Sequence, residues 1–452
     1  MGNANEYSHR TLSLRAITWP LFIELFLQMI MGSTDTIMLS YVSDEAVAAV
    51  GVANQIVFFA ILIFSFISTG TAVLISQYLG ASRHLDAKQA AGISVTINLG
   101  VGLLVSVLMV LLQKPMLGMF QLESGLLGMG STYLTIVGGT LFFQALLVTV
   151  SSILRAYQFT REAMFVSIAM NIINLAGNAV AIFLLDMGVQ GVAIATAVSR
   201  SAGLGLTFYF LYRRLPIKIV YSDYVSFRWQ EIKKILRIGL PAAGEQLSYN
   251  TSQMAMTAII ALMGAAALTT RVYTWNIMSF ILLFGLAIGQ GTQILIGYKV
   301  GGGDFEGAYR QLLKSLKYSF VITIFIAILI SIFRADLLSL FTNNRQIIDV
   351  GSQLLLLCLI LEPGRTLNIV VINSLRATGD AAFTVIFGVI SMWGIAVPAS
   401  YILGIQMGMG LTGVWIAFIA DEWFRGIIMY FRWRSRAWEK KALVDKQETA
   451  AS

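Results

Sequence analysis

Three polar residues in the first long apolar run have types and a spacing suited to ion chemistry. Glu24, Gln28 and Asp35 stand at i, i+4 and i+11, and eleven helical steps of about 100° return to within roughly 20° of the starting face. They would form one polar stripe on an otherwise apolar helix. A carboxylate at the bilayer centre costs at least about 2.5 kcal/mol, so it is expected to face a cavity or a partner. Asp35 is the first candidate: it lies deep in the run, within Gly32-Ser33-Thr34-Asp35-Thr36, whose small and hydroxylic residues leave room for water or a substrate. At that depth it is expected to load and release a proton near neutral pH. A permanently protonated or hydrogen-bonded structural aspartate is the plainer alternative.

Further along, Asn171, Asn174 and Asn178 stand at i, i+3 and i+7, again on one helical face. Neutral amides donate to a carboxylate and accept from a cation, so they suit the wall of an ion or substrate site, although helix-to-helix hydrogen bonding would also explain them. Arg200, midway along an apolar run, requires an anionic partner or backbone carbonyls, and Asp35 and Glu24 are both eligible. The second half of the chain carries Glu245, then Glu362 with Arg365, then Asp421, Glu422 and Arg425. Spacings of three and four suggest that Glu362 with Arg365 and Asp421 with Arg425 are internal ion pairs, while Glu245 is left open. Among the nineteen methionines, Met31 and Met256 are candidates for an adaptable cavity wall, though ordinary packing explains most such residues.

Familiar catalytic and energy-coupling motifs are missing. There is no GxxxxGK[ST], HExxH or GxSxG, which argues against ATP hydrolysis as the drive and against the common hydrolase arrangements. The two histidines, His9 and His84, fall outside the apolar runs, so no intramembrane histidine metal site is expected. Cys358 is the single cysteine and excludes an intramolecular disulfide. No enzyme activity, cofactor or metal is expected, and an ion gradient remains as the energy source.

These residues must be positioned by membrane-spanning helices. Of 452 residues 57% are hydrophobic and 12% charged, about half the charged share of a soluble domain, and the mean hydropathy is +0.77. Runs long enough to cross the bilayer number twelve: 16–40, 48–79, 88–112, 130–154, 162–186, 189–212, 234–262, 266–298, 309–333, 349–374, 381–404 and 409–431. The net charge of +8 is dispersed in short clusters between these runs, which reads as topogenic and not as a nucleic-acid surface. Lys and Arg concentrate in alternate connections, including Arg83, Lys88, Arg155, Arg161, the stretch 213–237, Arg376 and 432–441. Both termini are therefore expected in the cytoplasm. The opening MGNANEYSHR is too polar for a cleavable signal peptide.

The chain is also duplicated. Pro20 meets Pro241 at an offset of 221 (241 minus 20), and at that offset Glu24 meets Glu245, Gly70-Thr71 meets Gly291-Thr292, and Leu154-Arg155-Ala156 meets Leu375-Arg376-Ala377. After one shift of register, Gly191-Val192 meets Gly413-Val414 at 222. Six spans per half make the repeats parallel about an axis along the membrane normal, as in transporters that alternate access to a central cavity. The expected fold is an all-α polytopic membrane protein of two six-helix bundles: a lobe at 1–212, a cytoplasmic linker at 213–233, a lobe at 234–435 and a tail at 436–452. The ionisable spans favour a transporter over a membrane scaffold or sensor.

Trp19-Pro20 through Asp35-Thr36, Gly70-Thr71 with Gln77-Tyr78-Leu79-Gly80, Leu154-Arg155-Ala156, and Gly188-Val189-Gln190-Gly191-Val192-Ala193 together resemble the multidrug and toxic compound extrusion family, nearest its bacterial DinF-like branch. The resemblance covers roughly residues 12 to 435. It implies antiport in a bacterial plasma membrane, a cation entering while a hydrophobic organic cation leaves, with the first-span acid on Asp35 taking a proton in competition with substrate. Two positions depart from the family pattern. The span-five acid of some relatives falls on Asn178, and the span-ten acid of the sodium-using branch falls on Arg365, which favours protons over sodium. A monomer is expected, and a flippase for lipid-linked saccharides is the alternative transporter. The repeat is unequal in chemistry: Asp35 meets Met256, Asn178 meets Ala399 and Arg365 meets Gln144 at 221, while Arg200 meets Glu422 at 222. The first half is therefore expected to read the proton.

Overall fold

The structure is a computed structural model and describes residues 13–120, 123–226 and 228–444. His9, the opening segment and the end of the tail lie outside the described residues. Among the described residues the chain is helical and contains no strand. The helices are α1 (Leu14–Ser40), α2 (Asp44–Gly80), α3 (His84–Gly118), α4 (Ser124–Tyr133), α5 (Leu141–Ala156), α6 (Thr160–Ala179), α7 (Gly188–Arg214) and the short α8 (Tyr221–Val225). Then follow α9 (Trp229–Ala261), α10 (Ala265–Gly301), α11 (Phe305–Ile332), α12 (Arg334–Ser339), α13 (Arg345–Thr378), α14 (Ala381–Ser391), α15 (Val397–Tyr401) and α16 (Gly410–Arg434). Side-chain caps begin several of them: Ser13, Ser43 and Asn344 accept from the backbone N–H groups of Ala16, Ala46 and Gln346.

Each of the twelve apolar runs coincides with a helical stretch. Among the described residues nine helices are long and apolar enough to cross a membrane, and the pair α4 and α5, bent by 46°, makes a tenth. The other two, α9 and α16, hold buried ionisable residues that lower their apolarity: Glu245 in α9, and Asp421, Glu422 and Arg425 in α16.

The chain divides into two compact units, Met1–Gly239 and Leu240–Ser452. This boundary lies beyond the expected linker, and the packing explains why. α8 lies on α3, where Lys88 pairs with Asp223 at 3.1 Å and the Thr96 hydroxyl donates to the Tyr224 carbonyl at 2.6 Å. The first turns of α9 lie on α2, with the Tyr78 hydroxyl donating to Glu231 at 2.7 Å and Lys234 donating to Tyr78 at 2.9 Å. Gly70 leaves room for the Ile235 carbonyl, which a Cβ would strike. Residues 213–233 are thus mostly tied to the first unit.

Both units follow one packing plan. In the first, α2, α3 and α5 pack mutually, α5 packs on α7 and α6 on both α1 and α7; in the second, α10, α11 and α13 pack mutually, α13 packs on α16 and α15 on α16. The duplication reaches backbone detail. Ser82, Gln158 and Asp186 have left-handed φ of 60°, 66° and 49°, and their counterparts at offsets of 221, 221 and 222 are Gly303, Gly379 and Gly408, with φ of 71°, 98° and 69°. The π-helical turn Val180–Leu184 likewise recurs, 222 residues on, at Ile402–Gln406. A second π turn, Met392–Ala396, interrupts the eleventh span just after Ser391. Each unit has its own apolar core, one including Val50, Phe64, Leu134 and Val192, the other Ile260, Ile281, Leu354 and Trp415.

Candidate functional site

In the first unit, α1 carries two buried carboxylates, and they have different partners. Glu24 is bonded by Arg155, from the last turn of α5, at 2.6 Å. Asp35 is 6% exposed, and its Oδ1 accepts from Asn178 Nδ2 of α6 at 2.7 Å. Asn178 donates in turn toward Asn174 Oδ1 at 3.4 Å, and Asn174 toward the Thr196 hydroxyl of α7 at 3.4 Å. No ion pair holds Asp35 among the described residues. Arg200 of α7 lies within electrostatic range of Asp35 and Tyr133, but its Nε and Nη1 are buried without a hydrogen-bond partner. Tyr133 completes the group, donating to Asn54 Oδ1 at 3.0 Å.

The second unit repeats half of this arrangement. Arg376, at the end of α13, donates to Glu245 of α9 at 2.8 Å, and Thr384 adds a bond at 3.1 Å. Glu24 with Arg155 and Glu245 with Arg376 occupy the same places 221 residues apart. Asp35 has no such counterpart: Met256 stands in its place, 1% exposed in the apolar core. The charges of this unit gather instead between α13 and α16. Arg365 donates to Glu362 at 2.7 Å and faces Glu422 at 3.4 Å, while Arg425 bonds Asp421 at 2.6 Å and Glu422 at 3.2 Å. Asn368 donates to Glu422 at 2.8 Å and Ser391 to Asp421 at 2.6 Å.

Several expectations are corrected. Gln28 is exposed and does not join the buried acids of its own helix. Asn171 donates back to the Ser167 carbonyl at 2.9 Å, satisfying its own helix and not the site. Met256 is a core residue and not a cavity wall, while Met31 is half-buried. Glu24 is taken by Arg155, which leaves Asp35 as the acid facing Arg200. The two short-range ion pairs of the second half exist but are joined through Glu422 into one network. Sequence reasoning missed Tyr133, Thr196 and Asn368, and placed Arg155 and Arg376 in connections. The latter two carried a usable signal, because acid and base recur together at one offset.

Two homologous six-helix lobes, with ionisable groups buried inside their apolar helices, define a polytopic membrane transporter. The chain belongs to the MatE family of multidrug and toxic compound extrusion transporters: the family profile matches residues 20–180 and again 241–402. It is 49% identical over 438 residues to the uncharacterised transporter YisQ of Bacillus subtilis, covering 96% of each chain. With the probable multidrug resistance protein NorM of Thermotoga maritima it shares 27% identity over 436 residues, covering 95% of this chain and 93% of that one. A crystal structure of a MATE transporter in a bent conformation matches the fold with a TM-score of 0.89 at 21% identity, over 94% of this chain and 96% of the other. The protein is accordingly a multi-pass transporter of small molecules in a lipid bilayer, and not an enzyme.

Proposed function

We propose that the protein is a proton-coupled antiporter exporting hydrophobic organic cations, xenobiotics among them, by alternating access across a bacterial plasma membrane, with both termini cytoplasmic. The observation that carries this reading is the Asp35 carboxylate, buried within a span and bonded by the neutral amide of Asn178. Such a group is stabilised by one added positive charge, and a proton and an organic cation are alternative sources of it. Protonation from outside removes the charge that holds the drug and lets the empty carrier return. Each proton entering down 100 mV supplies about 2.3 kcal/mol, with about 1.4 kcal/mol more per pH unit.

Sodium suits the site poorly. It requires several oxygen ligands, and Asn178 supplies an amide nitrogen to Asp35. A saccharide flippase would require deep arginines open to pyrophosphate, whereas Arg365 is bonded to Glu362 and directed at Glu422. The names of relatives such as NorM of Vibrio cholerae, a multidrug resistance protein, support the substrate class. The test is uptake of a fluorescent organic cation into everted vesicles under an imposed pH gradient without sodium. Uptake is expected, and strict dependence on sodium would overturn the coupling ion.

A further inference from the structure

The buried charges of the second lobe do not balance. Glu245 and Arg376 neutralise each other. The remaining network has three carboxylates, Glu362, Asp421 and Glu422, against two guanidinium groups, Arg365 and Arg425, and all five side chains are no more than 6% exposed. One negative charge is in excess. In a low-dielectric interior an uncompensated carboxylate is costly unless it takes up a positive charge.

The hydrogen bonds show where that charge goes. Glu422 accepts from Asn368 and faces both arginines, and Asp421 is held by Arg425 and Ser391. Glu362 has one bonded partner, Arg365 at 2.7 Å, and is 1% exposed. The elements around it bring no balancing cation. Tyr249 of α9 lies within electrostatic range of the network, Cys358 lies one turn away on α13, facing Glu362, and α10 places the Trp275 ring 5.6 Å from the Arg365 guanidinium. Arg271 of α10 is bonded to Gln253 and Thr257. Glu245, which lies within range of Arg425 from α9, is already paired.

We propose that the second lobe holds a proton-binding site of its own, at Glu362, separate from Asp35. With the proton on Glu362 the network is neutral. Without it the excess charge is shared with Arg365, a state the network tolerates and a lone buried carboxylate would not. The site can therefore exchange its proton with the loading of a cationic substrate, so that two protons compete with one organic cation. The inference rests on the exchange reading above and adds a second coupling group to it.

The test is the pH dependence of binding of tetraphenylphosphonium to the full-length protein in detergent, because each displaced proton changes Kd tenfold per pH unit. Where both sites titrate, wild type is expected to lose about 100-fold in affinity per unit of acidification, two tenfold factors multiplied. Asp35→Asn is expected to retain a tenfold dependence, and Asp35→Asn with Glu362→Gln to be independent of pH. A wild-type dependence of tenfold or less overturns the proposal without any variant having to fold, and so does pH-independent binding by Asp35→Asn. If Asp35→Asn instead matches wild type while Glu362→Gln lowers the dependence, the role given to Asp35 fails and the site at Glu362 stands.

Discussion

The two lobes share a backbone plan and a buried ion pair, yet they treat the rest of their charge in opposite ways. In the first, one carboxylate is held by neutral amides and one arginine has unpartnered N–H groups. In the second, five charges lock one another between two helices. The position of Arg200 shows the contrast most directly: its counterpart, 222 residues on, is Glu422, the hub of the second network. Duplication preserved what supports the lobe and released what acts in it. A charge free of strong partners can change its protonation or its ligand, whereas a locked network mainly holds helices in register.

The comparison can be broken at several points. Arg425→Leu strands Asp421 and half of the contacts of Glu422, and removing one member of a buried ion pair costs about 3–5 kcal/mol. Arg200→Leu removes a buried charge with unpartnered groups and is expected to cost under about 1 kcal/mol, or to stabilise. Thermal unfolding in detergent separates them, and equal losses would contradict the contrast. The duplicated pairs should behave alike: Arg155→Ala and Arg376→Ala each cost about 3 kcal/mol, with recovery on exchanging acid and base as Glu24→Arg with Arg155→Glu. A large loss in one lobe and none in the other would show that the pairs are not equivalent. Asn178→Ala removes the hydrogen bond to Asp35 and is expected to change affinity for an organic cation by about 1–3 kcal/mol, read by equilibrium binding. Met256→Leu, at the counterpart of Asp35, should leave that affinity unchanged. The smallest effects are in the turns. Gly379→Ala forces a side chain into left-handed backbone against the Lys441 carbonyl, costing about 1–2 kcal/mol. Gln158→Gly, at the same turn of the first lobe, should move stability by less than about 1 kcal/mol.

The helices and the repeat were legible because apolar length and a constant register are properties of the chain alone. The linker was not: 213–233 reads as hydrophilic, but Asp223 and Tyr224 are spent on Lys88 and Thr96, contacts that no local pattern announces. Asp35 and Asn178 were legible as separate candidates, and their bond follows from the packing of α6 on α1. Gln28 was misread because the face of a helix that becomes buried is chosen by its neighbours and not by the helix. Arg155 was misread because a basic residue at a helix end looks topogenic until its side chain is seen folded back onto Glu24.

The account stands most directly on Asp35, the carboxylate the second lobe lacks. The decisive measurement is efflux of a fluorescent organic cation from proteoliposomes under an imposed pH gradient, wild type against Asp35→Asn, with binding of the same cation measured in parallel. The account predicts that the variant stays folded, binds the cation more weakly and loses pH-driven efflux by at least about tenfold, the equivalent of 1.4 kcal/mol. Efflux equal to wild type in the variant would contradict it.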